Sequence, residues 1–133
     1  MDKLLNLVII SPLKVVFEGK VISVTAPGTY GEFQVLYNHA PVVSTLDIGK
    51  LKLHLENGNR VEYSLSGGIL EVKNNRITLL ADSIEGKEDI DIERAKSALE
   101  RAEQRLRSSD LSMDRERARR ALKRSKNRLN LNR

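Results

Sequence analysis

Cysteine is absent from this chain of 133 residues, which excludes disulfides, thiolate metal sites and a cysteine nucleophile. The absence fits a reducing compartment. Histidine is nearly absent: His39 and His54 are the two copies, too few for a histidine-based metal centre, and no metal is expected. Long hydrophobic runs are missing as well. The longest uncharged stretch, Phe33 to Leu46, is 14 residues long and contains Pro41, whereas a membrane-spanning helix needs about 20 apolar residues. The apolar run after Met1-Asp2-Lys3-Leu4 has a single lysine before it and no small-residue cleavage site, so it reads as a first strand and the chain as cytoplasmic. Catalytic motifs are also lacking. Gly86-Lys87 is followed by Glu88 where a Walker A motif needs Ser or Thr, and there is no G-x-G-x-x-G or G-x-S-x-G. A self-contained enzyme is not expected.

Glycine and proline vanish part-way along the chain. Pro41 is the last proline and Gly86 the last glycine. Ahead of that point, β-rich segments alternate with turns. Leu51, Leu53 and Leu55 alternate with polar residues, as do Val61, Tyr63 and Leu65, with Asn57-Gly58-Asn59 between them. Two period-2 runs around an Asn-Gly turn predict a hairpin. Ile69–Val72 and Ile77–Leu80 flank Lys73-Asn74-Asn75-Arg76 and predict a second. Strands at this spacing imply a small sandwich or barrel.

Beyond residue 85 the period changes. Ile92, Ala95, Ala98/Leu99, Ala102 and Leu106 recur at helical spacing, and Asp91 is a candidate N-cap. Ser108-Ser109-Asp110-Leu111-Ser112 breaks the pattern, with Ser112 a candidate N-cap for a second helix. That helix carries a thin stripe of Ala118, Ala121/Leu122, Ser125 and Leu129. The short connection predicts an antiparallel hairpin. Both stripes are alanine-rich and bury little area, so the pair is expected to be marginal alone and able to re-dock. Charge divides at the same place. Residues 1–112 carry 14 Lys/Arg and 16 Asp/Glu, whereas residues 113–133 carry 9 and 2. The expected organisation is a β domain, 1–84, and a helical arm, 85–133.

Three stretches share a resemblance. Gly31-Glu32-Phe33-Gln34-Val35-Leu36-Tyr37-Asn38-His39-Ala40-Pro41, Leu65-Ser66-Gly67-Gly68-Ile69-Leu70-Glu71-Val72 with Ile77–Asp82, and Asp89-Ile90-Asp91-Ile92-Glu93-Arg94-Ala95 occur in that order. Together they resemble the epsilon subunit family of F-type ATP synthases over nearly the whole chain. The resemblance implies an α+β chain, an N-terminal ten-stranded β-sandwich followed by a C-terminal antiparallel two-helix hairpin. It implies a non-catalytic rotor subunit of a proton-driven enzyme, peripheral on the cytoplasmic face of the inner membrane and without direct membrane insertion. The sandwich would join the gamma subunit to the c-subunit ring. The arm, extended toward the alpha and beta subunits, would inhibit ATP hydrolysis.

The resemblance also implies site residues. ATP, as a regulatory ligand on the folded arm, would be held by Glu85, Ile90, Asp91, Arg94, Ala95, Arg101, Arg124 and Arg128, with the role of Mg²⁺ left open. Arg94 and Arg101 share a helix face, as do Arg124 and Arg128, and guanidinium forks suit polyphosphate. Read from the residues alone, the same arginines are ordinary solvated helix charges. Glu32 and His39 would meet the c-ring, although Phe33-Gln34 and Tyr37-Asn38 depart from the family pattern; Asn38 tolerates the left-handed conformation that glycine would supply there. Lys123, Arg124 and Lys126 would face acidic segments of the alpha and beta subunits of the catalytic head in the inhibited state. The competing reading is a stand-alone ATP-sensing or nucleic-acid-binding module using the basic helix. No aromatic residues interleave with those cations for base stacking, so nucleic acid is not the expected partner.

Overall fold

A strand with one face in a core buries every second residue. Leu5, Leu7 and Ile9 do so in the computed structural model, which describes residues 3–108 and 114–131. That segment is β1 (Leu5–Ile10). There follow β2 (Val15–Gly28), β3 (Gly31–Val35), β4 (Val42–Leu55), β5 (Arg60–Lys73), β6 (Arg76–Ala81) and β7 (Ile84–Gly86). A 3₁₀ turn, Lys87–Asp89, leads to α1 (Ile92–Arg107) and α2 (Arg115–Leu131).

The strands bond in the order β1-β6-β5-β4-β2-β3, β7 joins β5, and a β1–β2 pairing closes the sheet on itself. Seven strands are found among the described residues where ten were expected. The reason is the length of β2, β4 and β5, each 14 residues. Hydrogen bonding runs unbroken through strands that change neighbours part-way. β2 gives Val15–Val21 to β1 and Val24–Gly28 to β3. β5 gives Gly68–Lys73 to β6 and Tyr63–Leu65 to β7. Register shifts in β2 between Val21 and Ser23 and between Thr25 and Gly28 mark where it bends, as bulges do. The result is a barrel-like closed sandwich.

Its centre is aliphatic. Leu5, Val21, Val24, Leu51, Leu65, Leu70 and Leu79 are all fully buried. Both predicted hairpins form. Leu51 faces Tyr63 and Leu53 faces Val61 across the first; Asn74 and Asn75, at φ 51° and 60°, make the left-handed turn of the second. Gly68 explains its own place in the sequence. Its φ is +153°, and a Cβ there would lie 2.3 Å from the Leu80 carbonyl oxygen.

The helices pack through small residues. Ala95 and Ala102 of α1 and Ala118 and Ser125 of α2 are buried, and the Ser125 hydroxyl donates to the Ala121 carbonyl at 3.0 Å. Asp91 caps α1, its Oδ1 accepting the Arg94 N–H at 3.1 Å. Ile92 does not join the seam as expected; it is 42% exposed, and Ile90, just ahead of the helix, is buried instead. Ser112 lies outside the described residues. Asp114 does the capping work for α2, accepting the Arg117 N–H at 3.0 Å. α2 rests on β4 and β5, and α1 rests on α2. The arm is therefore folded down on the sandwich.

Candidate functional site

The seat of α2 is built from polar groups that strand geometry turns outward. Ser64 and Lys50 are cross-strand partners on β5 and β4. Asn127 of α2 reaches this face, its amide donating to the Gly49 carbonyl at 2.8 Å and contacting the Ser64 Oγ at 3.0 Å. One helical turn before it, Lys123 donates to Asp47 Oδ2 at 3.1 Å. One residue after Asn127, Arg128 donates from Nε to Glu85 Oε1 at 2.6 Å. Two apolar groups complete the seat. Ile48 is 4% exposed yet lies outside the sandwich core, and Leu131 is 6% exposed at the end of α2. Asp47 is oriented before the lysine arrives, since its Oδ1 accepts the Ile48 N–H at 2.7 Å. That backbone bond first, then Lys123, holds its carboxyl below the usual carboxylate range.

The structure brings some of the expected nucleotide-binding residues together and leaves others apart. Glu85 and Arg128 are joined directly. Ile90, just ahead of α1, and Ala95, on the inner face of α1, are buried, and Asp91 is spent on the helix cap. Arg94 and Arg101 are exposed on α1. Arg124 is half-buried, and no carboxylate pairs with it among the described residues. Burial lowers its pKa first, and then the neighbouring charges of Arg120, Arg128 and Arg117. Sequence reasoning missed Arg117 and Arg120 in this column, although the i, i+3, i+7 spacing with Arg124 was there to be read. It also missed Asp47, Gly49, Ser64 and Asn127, for which periodicity carries no signal.

An open groove of about 890 Å³ runs beside the hinge, between the Lys50–Tyr63 region, the Gly86–Asp89 turn and Leu131. None of the eight expected nucleotide residues lines it. Tyr63 at its wall has a raised pKa, through burial first and Asp89 second. Among the described residues no cluster of His, Cys, Asp or Glu could hold a metal ion.

Glu32 and His39 occupy separate places. Glu32 is exposed on β3 opposite Pro27; His39 lies in the loop after β3, its Nδ1 2.7 Å from the Ala40 carbonyl. The loop makes its turn on Asn38 rather than on a glycine. Asn38 takes φ 64°, and its backbone N–H donates to Asn75 Oδ1 at 2.6 Å, pinning the loop to the β5–β6 turn. Lys126 is exposed, whereas Lys123 is held by Asp47.

The layer away from α2 presents apolar side chains to solvent. Val15 pairs with Ile10, Ile10 with Leu80, and Leu80 with Ile69, all on the face opposite the core. They are 55%, 36%, 48% and 46% exposed in that order, and Val43 at 68%, two residues from the Thr45 that pairs with Ile69, lies on the same face. A contiguous row of this kind marks an interaction surface more than scattered apolar residues do.

Comparison with known proteins gives a consistent result. The beta-sandwich domain of the ATP synthase delta/epsilon chain matches residues 4–87, and the long alpha-helix domain of the same chain matches residues 88–131. The ATP synthase epsilon chain of Desulforamulus reducens is 46% identical over 114 residues, covering 86% of either chain. That of Nitratidesulfovibrio vulgaris is 49% identical over 106 residues, 80% of this chain and 78% of the relative. A chain in the cryo-EM structure of the Euglena gracilis mitochondrial ATP synthase, OSCP/F1/c-ring in rotational state 1, superposes with a TM-score of 0.84 at 25% identity. The match covers 95% of this chain and 79% of that one.

Proposed function

The chain belongs to the ATP synthase delta/epsilon family as an epsilon chain, a non-catalytic subunit of the F-type central stalk, and from that premise we propose how its two faces divide the work. The sandwich docks by its uncovered apolar row on the gamma subunit, and the Glu32–His39 edge meets the c-ring. The arm is a regulator that leaves the sandwich to reach the alpha and beta subunits and restrain ATP hydrolysis. The observation that carries this reading is the asymmetry of the sandwich. One layer is covered by α2 through a handful of contacts, and the other leaves Val15, Ile10, Leu80 and Ile69 exposed among the described residues.

Rotor coupling needs a permanent grip, and buried apolar area supplies it. Regulation needs a contact that breaks, and partly exposed ion pairs on an alanine-rich hairpin supply that. ATP favours the folded arm. Arg124, half-buried among like charges, gains from any polyanion that relieves the repulsion, and Arg94, Arg101 and Arg128 add further guanidinium donors. Glu85 orients Arg128, Asp91 caps the helix that carries Arg94 and Arg101, and Ile90 and Ala95 keep the helices close. No helix among the described residues is long and apolar enough to cross a membrane. The chain works on the cytoplasmic face, as a peripheral part of a proton-driven complex.

The test is reconstitution. Removing residues after 87 is expected to leave gamma binding intact and raise ATP hydrolysis by the catalytic head. Unchanged hydrolysis would remove the regulatory role, and lost gamma binding would remove the division between faces.

A further inference from the structure

We propose that Asp47 is an internal stand-in for the acidic surface of the catalytic head: it holds Lys123 while the arm is folded, so the sandwich and the head compete for the same ammonium group. The proposal rests on the arm reading above and goes beyond it by naming what must break before the arm can leave.

The geometry carries it. Lys123 lies near the middle of α2, 76 residues from Asp47 in sequence, and the two meet at 3.1 Å. The carboxylate is fixed in advance by the Ile48 N–H at 2.7 Å, so little order is lost when the lysine docks. Arg120, one turn before Lys123, adds its field at Asp47. Asp47 thus presents a negative, oriented group to the most basic helix of the chain, as an acidic partner would. Of its companions at the seat, Asn127 on Gly49 and Ser64 is neutral and offers the head nothing it could win by charge, and the other ion pair, Arg128–Glu85, sits at the hinge on β7 rather than on β4. The ion pair is exposed on both sides, 54% for Lys123 and 36% for Asp47. An exposed pair of this kind shifts an equilibrium by a few-fold, enough to bias a switch without locking it.

Two substitutions in the full chain separate competition from simple docking. Asp47→Asn and Lys123→Gln both remove the folded contact, and both are expected to speed hydrogen exchange of the α2 amides about two- to five-fold. Only Asp47→Asn leaves Lys123 free for the head, so it alone should lower ATP hydrolysis by the reconstituted head, by a similar factor, with the effect fading at high salt. Unchanged α2 exchange in Asp47→Asn overturns the proposal. So does looser docking with no added inhibition, or equal added inhibition from Lys123→Gln. Inhibition by the unaltered chain, measured against the head without it, tests the arm reading separately. If that inhibition is present while Asp47→Asn adds none, the competition fails and the arm reading stands.

Discussion

Arg128 donates to Glu85 at 2.6 Å and thereby ties the last turns of the final helix to the strand that leads out of the sandwich. The contact spans 43 residues of sequence and closes the arm over its own hinge. Both side chains are about two-thirds buried, at 33% and 27% exposure, so the pair is less screened than Lys123–Asp47. Glu85→Gln is expected to weaken arm docking by roughly 1 kcal/mol, near the upper end for partly exposed pairs, and to leave the sandwich as stable as before. Hydrogen exchange resolved by segment checks this. Faster exchange in α2 with β1 and β6 unaffected is the expected pattern, and uniform change across the chain contradicts it.

Arg124 is the sharpest probe of the nucleotide site. Arg124→Ala should weaken ATP binding at least about tenfold, equivalent to about 1.4 kcal/mol, and Arg124→Lys should not restore it because an ammonium lacks the planar fork. Calorimetric titration of the full chain gives the answer. ATP binding that is indifferent to both substitutions would place the nucleotide elsewhere or nowhere on the arm.

Acid should loosen the arm through Asp47. The Ile48 N–H lowers the Asp47 carboxyl whether or not the arm is docked, and Lys123 lowers it further only when docked, so the docking contribution is fully present above the undocked pKa and is lost as pH falls through the lower, docked one. Arm docking is expected to be flat in this term from about pH 8 to 5 and to weaken only in more acid solution, below the ordinary carboxylate range. Asp47→Asn should remove that portion of the acid limb. A distance label between α2 and β4 reports it, and identical acid profiles for the two chains would refute the assignment.

The apolar row gives a prediction about coupling without folding. Leu80→Asp and Ile69→Asp place charges on a solvent face, where most substitutions change stability by within about 0.5 kcal/mol. The isolated chain should keep its melting temperature. Binding to gamma should fall tenfold or more, because a charge would be buried unpaired in the joint. Intact gamma affinity in both variants would move the docking face elsewhere.

Gly68→Ala tests why the Gly67-Gly68 pair stands in the sequence. A Cβ at 2.3 Å from the Leu80 oxygen cannot be accommodated without moving β6. Destabilisation of roughly 2 to 3 kcal/mol is expected, measured by denaturant unfolding.

The sequence by itself determined the elements and their order. Period-2 alternation around Asn57-Gly58-Asn59 and the Asn74-Asn75 turn fixed two hairpins, because a one-residue slip would turn Leu51, Leu53 and Ile77 out to water. The loss of glycine and proline after Gly86, with alanines at helical spacing, fixed the arm. Arg124 and Arg128 could be set on one helix face because i, i+4 spacing is a local property of a helix, whereas Arg117 and Arg120 beside them were missed. Strand count was not so determined. Whether β2, β4 and β5 run on or break depends on how a sheet bends to close, and bending is set by neighbours distant in the chain.

Only the tertiary structure decided what α2 touches. Nothing near Asp47 in sequence points to Lys123, and nothing near Asn127 points to Gly49 or Ser64. Ile48 reads as one more strand residue until the fold leaves it outside the core and covers it. Likewise Val15, Ile10, Leu80 and Ile69 come from four different strands and become one surface through cross-strand register alone. Local patterns follow from backbone geometry within a few residues. Surfaces and seats follow from which strands become neighbours, and that is a global outcome of burying one aliphatic core.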